Sequence, residues 1–175
     1  GIASTCEKEV AMNILTPLYT DIRQYLLSTF NLPITDTTVI RGYNNLNPIP
    51  KNAIIMTFMQ GSHIDQHSVD FVDDKQIIFN SVRGSMQLDF YGDSSMDRAQ
   101  EIATLWNTPY TTEILKDCVP LRNPRVRDLS FVNEAGMYEL RFMVEAELQY
   151  NTKYEKQVNI VTDVSQIDLE SINVI

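Results

Sequence analysis

Hydrophobic and polar residues alternate with a period of two from Met137 to Tyr150. Tyr138, Leu140, Phe142, Val144, Ala146, Leu148 and Tyr150 fall on one side; Met137, Glu139, Arg141, Met143, Glu145, Glu147 and Gln149 fall on the other. That pattern predicts a strand with one dry face and one wet face. At about 3.3 Å per residue it reaches roughly 45 Å, well beyond an ordinary strand. A strand this long bends over a core or projects past it toward another subunit. Asn133-Glu134-Ala135-Gly136 predicts the turn joining it to a strand over Leu129–Val132. Asn151-Thr152-Lys153 predicts a second turn into an alternating run from Tyr154 to Val161, so that residues 129–161 form a three-stranded meander.

Upstream, Lys75–Gly92 is a second long β stretch: Met86, Leu88 and Phe90 alternate with Gln87, Asp89 and Tyr91, and Gly84 permits a bulge. Ala53–Gln60 is apolar on both sides, as a central strand is, and Thr38–Ile40 reads as a short strand. Arg41–Asn52 is a loop by its Asn and Pro content, and Gly61–Asp74 is a polar surface excursion or hairpin. Thr16-Pro17 predicts a helix start, with Leu18, Ile22, Tyr25, Leu26, Thr29 and Phe30 on its buried stripe and a stop before Pro33. A second helix follows Gly92-Asp93-Ser94-Ser95 and buries Ala99, Ile102, Ala103 and Trp106, with Asp97 at its positive end. Pro109 opens a short third helix through Tyr110, Ile114 and Leu115, and Pro120–Arg127 is a connector.

Few of these strands are joined through helices, so the expected fold class is α+β. It has a mixed, mainly antiparallel sheet with two or three helices packed on one face. Residues 12–162 are expected to form a single domain, with residues 1–11 an N-terminal extension and 163–175 a C-terminal arm. Ile167, Leu169, Ile172, Val174 and Ile175 lie in that arm without a helix-opening signal, which makes it a candidate for adding to a neighbouring sheet.

A chain of 175 residues is long enough to bury a real core. With 23 acidic against 14 basic residues its net charge is -9, which argues against gripping nucleic acid through phosphates. The same charge suits a surface that a polyanion passes without sticking. No apolar run approaches the ~20 residues of a membrane helix, so no membrane is expected. Cys6 and Cys118 supply no disulfide framework and are expected to be reduced. Gly1–Cys6 fits a myristoylation frame if a Met precedes it, yet no polybasic signal accompanies it; an ordinary end, or an internal start at Met12, is the plainer reading.

Candidate chemistry is sparse. His63-Ile64-Asp65-Gln66-His67, if extended, sets His63, Asp65 and His67 on one strand face with Asp70 near, as a metal site requires. The segment is polar and lacks supporting Cys or Glu, which equally describes a solvated loop. Ser85 and Ser94 lack the G-x-S-x-G frame, and Cys118 has no motif around it. Gly92-Asp93-Ser94-Ser95 precedes a helix and is either a phosphate cradle or a simple N-cap. Glu139, Glu145 and Glu147 share a face with Arg141, as acid–base groups or as a wet face. Arg122, Arg125 and Arg127 form a basic patch without interleaved aromatics. These residues predict no catalytic set, no cofactor and no bound metal.

The order of pieces resembles a specific family. An opening amphipathic helix precedes Val39-Ile40-Arg41-Gly42, the Asn44–Pro50 loop and the Ala53–Gln60 strand. QLDFYGDSSMDRAQEIATLW (Gln87–Trp106) and RDLSFVNEAGMYELRFMVEAELQY (Arg127–Tyr150) follow. Over residues 12–162 this resembles the neck or tail terminator proteins of tailed bacteriophages. The resemblance implies a virion structural protein, not an enzyme, whose homo-oligomeric ring, a hexamer, caps the tail tube at its head-proximal end. Its expected partners are its own copies, tail-tube and sheath or head-connector proteins, and genomic DNA passing unbound through the channel. Assembly would take place in the host bacterial cytoplasm. Another head–tail joining or minor tail protein, and a small metal-dependent enzyme using His63, Asp65 and His67, are the alternatives.

Overall fold

The computed structural model describes residues 15–43 and 48–158. The N-terminal extension with its lipidation frame, Cys6, Met12, the middle of the Asn/Pro loop and the arm 163–175 lie outside the described residues. In chain order the elements are α1 (Leu15–Thr29), β1 (Val39–Arg41), β2 (Ile54–His63), β3 (Ser68–Val72), β4 (Lys75–Tyr91), α2 (Ser95–Leu105) and α3 (Pro109–Ile114). Then come β5 (Val119–Pro120), β6 (Val126–Asp128), β7 (Phe131–Val132), β8 (Tyr138–Glu139) and β9 (Arg141–Gln157). The main sheet runs β1-β2-β4-β9-β5, with β3 on β4 and β6 on β9. Among the described residues only the β1–β2 pair is parallel, so the expected α+β class with a mixed, mostly antiparallel sheet and three helices is observed.

The centre of the sheet is the ladder between β4 and β9, which stays in register from Lys75↔Gln157 to Tyr91↔Arg141. Directly opposed residues of an antiparallel pair share a face. One face therefore carries Ile54, Met56, Met86, Leu88, Phe90, Val144, Ala146 and Leu148, all buried. Leu18, Ile22, Tyr25 and Leu26 of α1, Ala99 and Ile102 of α2, and Trp106 complete that core. Each large side chain so buried contributes about 1.5–3 kcal/mol. Trp106 also pins α2 to the sheet, its Nε1–H donating to the Glu147 carbonyl at 2.7 Å.

The long strand differs from the sequence expectation at both ends. Alternation carries through Tyr138 and Leu140, but the ladder stops at Arg141. There the Leu140 carbonyl accepts from the Gly92 N–H, and the Arg141 carbonyl accepts from the Leu129 N–H. Tyr138 instead pairs with Val132 in a separate two-stranded hairpin and is 82% exposed. At the other end no turn exists at Asn151-Thr152-Lys153; these residues pair with Ser81, Asn80 and Phe79, and β9 runs on to Gln157. The expected meander is thus a hairpin followed by one continuous strand of 17 residues, roughly 55 Å long.

Other boundaries shift for local reasons. The connector Pro120–Arg127 contributes edge pairings, since β5 and β6 both bond to β9. The helix α1 already includes Leu15, the first described residue of its segment, so Thr16 lies inside its first turn. The bulge expected at Gly84 sits opposite it, between Met59 and Ser62 of β2. Gly84 itself makes room: a Cβ there would stand 2.7 Å from Phe58 Cζ.

Candidate functional site

Ile78, Asn80, Val82, Tyr150, Thr152 and Tyr154 lie on the core face of β4 and β9, beyond the part packed by α2 and Trp106. With Phe58, His63 and Leu15 they line an open groove of about 560 Å³. Val82 and Thr152 are buried at its base and Tyr154 is half exposed at its rim. Phe58 and Tyr150 meet edge to face, ring centroids 5.8 Å apart. Burial, with Tyr154 beside it, pushes the Tyr150 hydroxyl above its ordinary pKa, so it stays neutral. The Asn80 amide oxygen in this groove is shielded from solvent and has no hydrogen-bond partner among the described residues. The ladder ends in the β3–β4 hairpin, where Phe71 is 66% exposed and Val72 is also exposed. At the opposite end, the β7–β8 hairpin exposes Phe131, Val132, Met137 and Tyr138. The two ends of the ladder therefore both present apolar surface.

The opposite face is polar and cross-linked. Arg141 holds the buried Asp89 at 2.8 Å, and Gln87 donates to the same carboxylate at 2.7 Å. Glu147 receives Arg83 at 2.5 Å and Arg122 at 3.3 Å, while Ser85 donates to Glu145 at 3.1 Å. Glu139 is separated from this row in the hairpin and accepts from Asn133. The carboxylates and Arg141 thus work as cross-strand ties. The arginine patch is likewise divided: Arg122 pairs with Glu147, whereas Arg127 lies in β6 and Arg125 is exposed.

The other candidates resolve into structural roles. His63 ends β2 and bonds Asn80, after which the chain leaves the sheet, so His63, Asp65 and His67 do not share an extended face. Among the described residues no group of three His, Cys, Asp or Glu is placed to hold a metal. The Cys118 thiol is pushed well above its ordinary range, first by burial and then by the Asp21 and Asp117 carboxylates, which leaves it protonated and unreactive. Ser94 precedes α2 without a side-chain capping bond. Gly92, at φ 94°, fits where a Cβ would collide with Asn52. The groove residues escaped sequence analysis because they become neighbours only through the β4–β9 register; the alternation of Ile78, Asn80 and Val82 was the available signal.

Among proteins of known kind, a family model described as phage neck terminator protein matches residues 16–174. The match begins near the expected domain start at residue 12 and runs past the expected boundary at 162, into the C-terminal segment. No curated protein matches the chain.

Proposed function

This chain belongs to the phage neck terminator family, and we propose that its copies close into a ring, six in number, that caps the tail tube at its head-proximal end. Membership makes it a virion structural protein of the phage neck that works with other head and tail proteins. The proposed ring joins the tube to the head connector, surrounds the channel through which the genome passes without specific binding, and has no catalytic task. It assembles in the host cytoplasm before the virion is complete.

The observation that carries this reading is the β4–β9 ladder, which continues past the helix-packed core and ends in exposed apolar side chains at both extremities. A protomer with different apolar surfaces at its two ends is suited to head-to-tail contacts, which close into rings when the rotation per copy allows. A net charge of -9 suits a wall that repels DNA at distances within a Debye length of about 8 Å.

A reconstruction of the phage particle tests the proposal. Six copies in one ring between tail tube and head connector is the expected result. A location elsewhere in the virion would assign the chain to another joining or minor tail role. Deleting the gene should also yield heads and tails that fail to join.

A further inference from the structure

We propose that the tip of the β3–β4 hairpin of one copy, Phe71-Val72-Asp73, plugs the cleft between residues 49–52 and the β7–β8 hairpin of the next copy in the ring. The inference rests on the self-association proposed above and names the surfaces that carry it. The cleft lies at the Arg141 end of the ladder and has a volume of about 440 Å³. Ile49 and Pro50 line it from one segment, Phe131, Tyr138 and Leu140 from another, and Tyr91 from the end of β4. Ile49, Phe131, Tyr138 and Leu140 are all exposed in the single chain. An occupant held between these segments therefore buries apolar surface on two sides at once.

The chemistry selects the occupant. Successive residues of a strand point to opposite faces, so the exposed Phe71 and Val72 make the tip of β3 apolar on both sides. A flat surface would cover one of them; a cleft lined from two segments covers both. Outside the β7–β8 hairpin itself, no other two consecutive large apolar residues are exposed among the described residues. The charges agree. Of the charged residues lining the cleft, Arg141 is held by Asp89 at 2.8 Å and Glu139 accepts from Asn133, which leaves the Lys51 and Asp93 side chains without partners among the described residues. The tip offers the opposite pair. Asp73, at φ 55° in the turn, has no side-chain partner among the described residues, and Lys75 is held only by Glu155, at 4.0 Å. Asp73 thus suits Lys51, and Lys75 suits Asp93, which fixes the register of a contact anchored by the Phe71 ring. Tip and cleft stand at opposite ends of a 17-residue ladder, roughly 55 Å apart, so they meet only between copies. Each copy gives one tip and receives one, the head-to-tail contact that a ring repeats.

Cross-linking in assembled particles tests this. The full chain carries Val72→Cys at the tip and Lys51→Cys in the cleft, together with Cys6→Ser; Cys118 stays because it is buried. Both altered positions are exposed, and urea unfolding of the purified chain checks that the fold is kept. A short bis-maleimide should join neighbouring copies into a ladder of covalent multimers up to the complete ring, and either substitution alone should give none. No ladder in particles whose ring is intact would overturn the docking and leave the ring standing. Cross-links with Val72→Cys alone, tip to tip, or from the tip to a different virion protein, would overturn it too. Particles in which the chain forms no ring would remove the premise and the proposal together. A second measurement needs no cysteine. Lys51→Glu sets a like charge against Asp73 and should cut complementation of a phage lacking the gene at least about tenfold. Asp73→Asn in the same chain keeps a residue suited to positive φ and should recover part of that loss. Absence of any recovery would overturn the pairing of tip and cleft.

Discussion

Asp21, in the middle of α1, accepts the main-chain N–H of Asp117 at 2.8 Å. Its carboxylate also receives the Lys116 N–H at 3.0 Å, and it is 4% exposed. One acid on the first helix therefore satisfies the chain as it leaves α3 for the edge of the sheet. Asp21→Ala should lower stability by about 2–3 kcal/mol, because charge-assisted bonds vanish and two shielded N–H groups lose their acceptor. Asp21→Asn should cost less, since one acceptor oxygen remains. Urea denaturation reads the difference, and a loss below about 0.5 kcal/mol for Asp21→Ala would contradict this role.

The Cys118 thiol beside Asp21 predicts an alkaline limit to stability. Its pKa is raised in the folded state, so below the ordinary thiol value of 9.0 both folded and unfolded chains keep the proton and nothing is lost. Above that value the unfolded chain releases the proton while the folded one holds it, which favours unfolding by up to about 1.4 kcal/mol per pH unit. The buried hydroxyl of Tyr25, also raised by burial, adds to the loss above pH 10.0. Stability measured from pH 8 to 10 should fall for the native chain and fall less for Cys118→Ala. Equal slopes would remove the thiol as the cause.

Two acid–base ties on the polar face should behave differently. Asp89 is 3% exposed and bound by Arg141 and Gln87, whereas Glu147 is only partly buried and its partners Arg83 and Arg122 are 43% and 69% exposed. Asp89→Ala strands a half-buried guanidinium and should cost about 2–3 kcal/mol. Glu147→Gln should cost under about 1 kcal/mol, because its arginine partners are solvent-exposed, their pairing is screened, and the amide keeps one acceptor oxygen. Comparable losses in thermal unfolding would mean that burial does not decide between them.

Gly84 and Phe58 predict a coupled pair. Gly84→Ala drives a Cβ into the Phe58 ring, which is itself held edge-on by Tyr150, and should cost about 1–3 kcal/mol. Phe58→Leu in the same chain should recover part of that loss. Additive effects in the double-mutant cycle would show that the ring is free to move aside.

What was legible in the sequence was local. The phase of Phe142, Val144, Ala146, Leu148 and Tyr150, the stripe Ala99, Ile102, Ala103 and Trp106, and the Pro109 helix start all follow from periodicity and capping, and all appear in the structure. The break at Leu140 escaped because alternation survives a bend that only long-range bonds to Gly92 and Leu129 impose. Asn151-Thr152-Lys153 looked like a turn because it is polar, yet its partners on β4 hold it extended. Asp21 escaped for a related reason: on a helix stripe it counts as a polar interruption, and its amide partners lie about 95 residues away. The groove shares that character, being made of residues that meet only by register.

The apolar tips of the ladder give the prediction closest to assembly. Phe71 and Tyr138 are 66% and 82% exposed, so neither contributes much to the core of the single chain. Phe71→Ser and Tyr138→Ser should each leave urea stability within about 0.5 kcal/mol of the native chain, as exposed substitutions generally do. If these tips are contact surfaces between copies or with neighbouring neck proteins, the same changes remove buried apolar area from the assembled state alone, at about 25 cal/mol per Å². Complementation of a phage lacking the gene should therefore drop at least tenfold with either variant, although the purified chain folds normally. Full complementation by both variants would place the contacts elsewhere on the protomer, and would reduce the hairpins at the two ends of the ladder to solvent-facing turns.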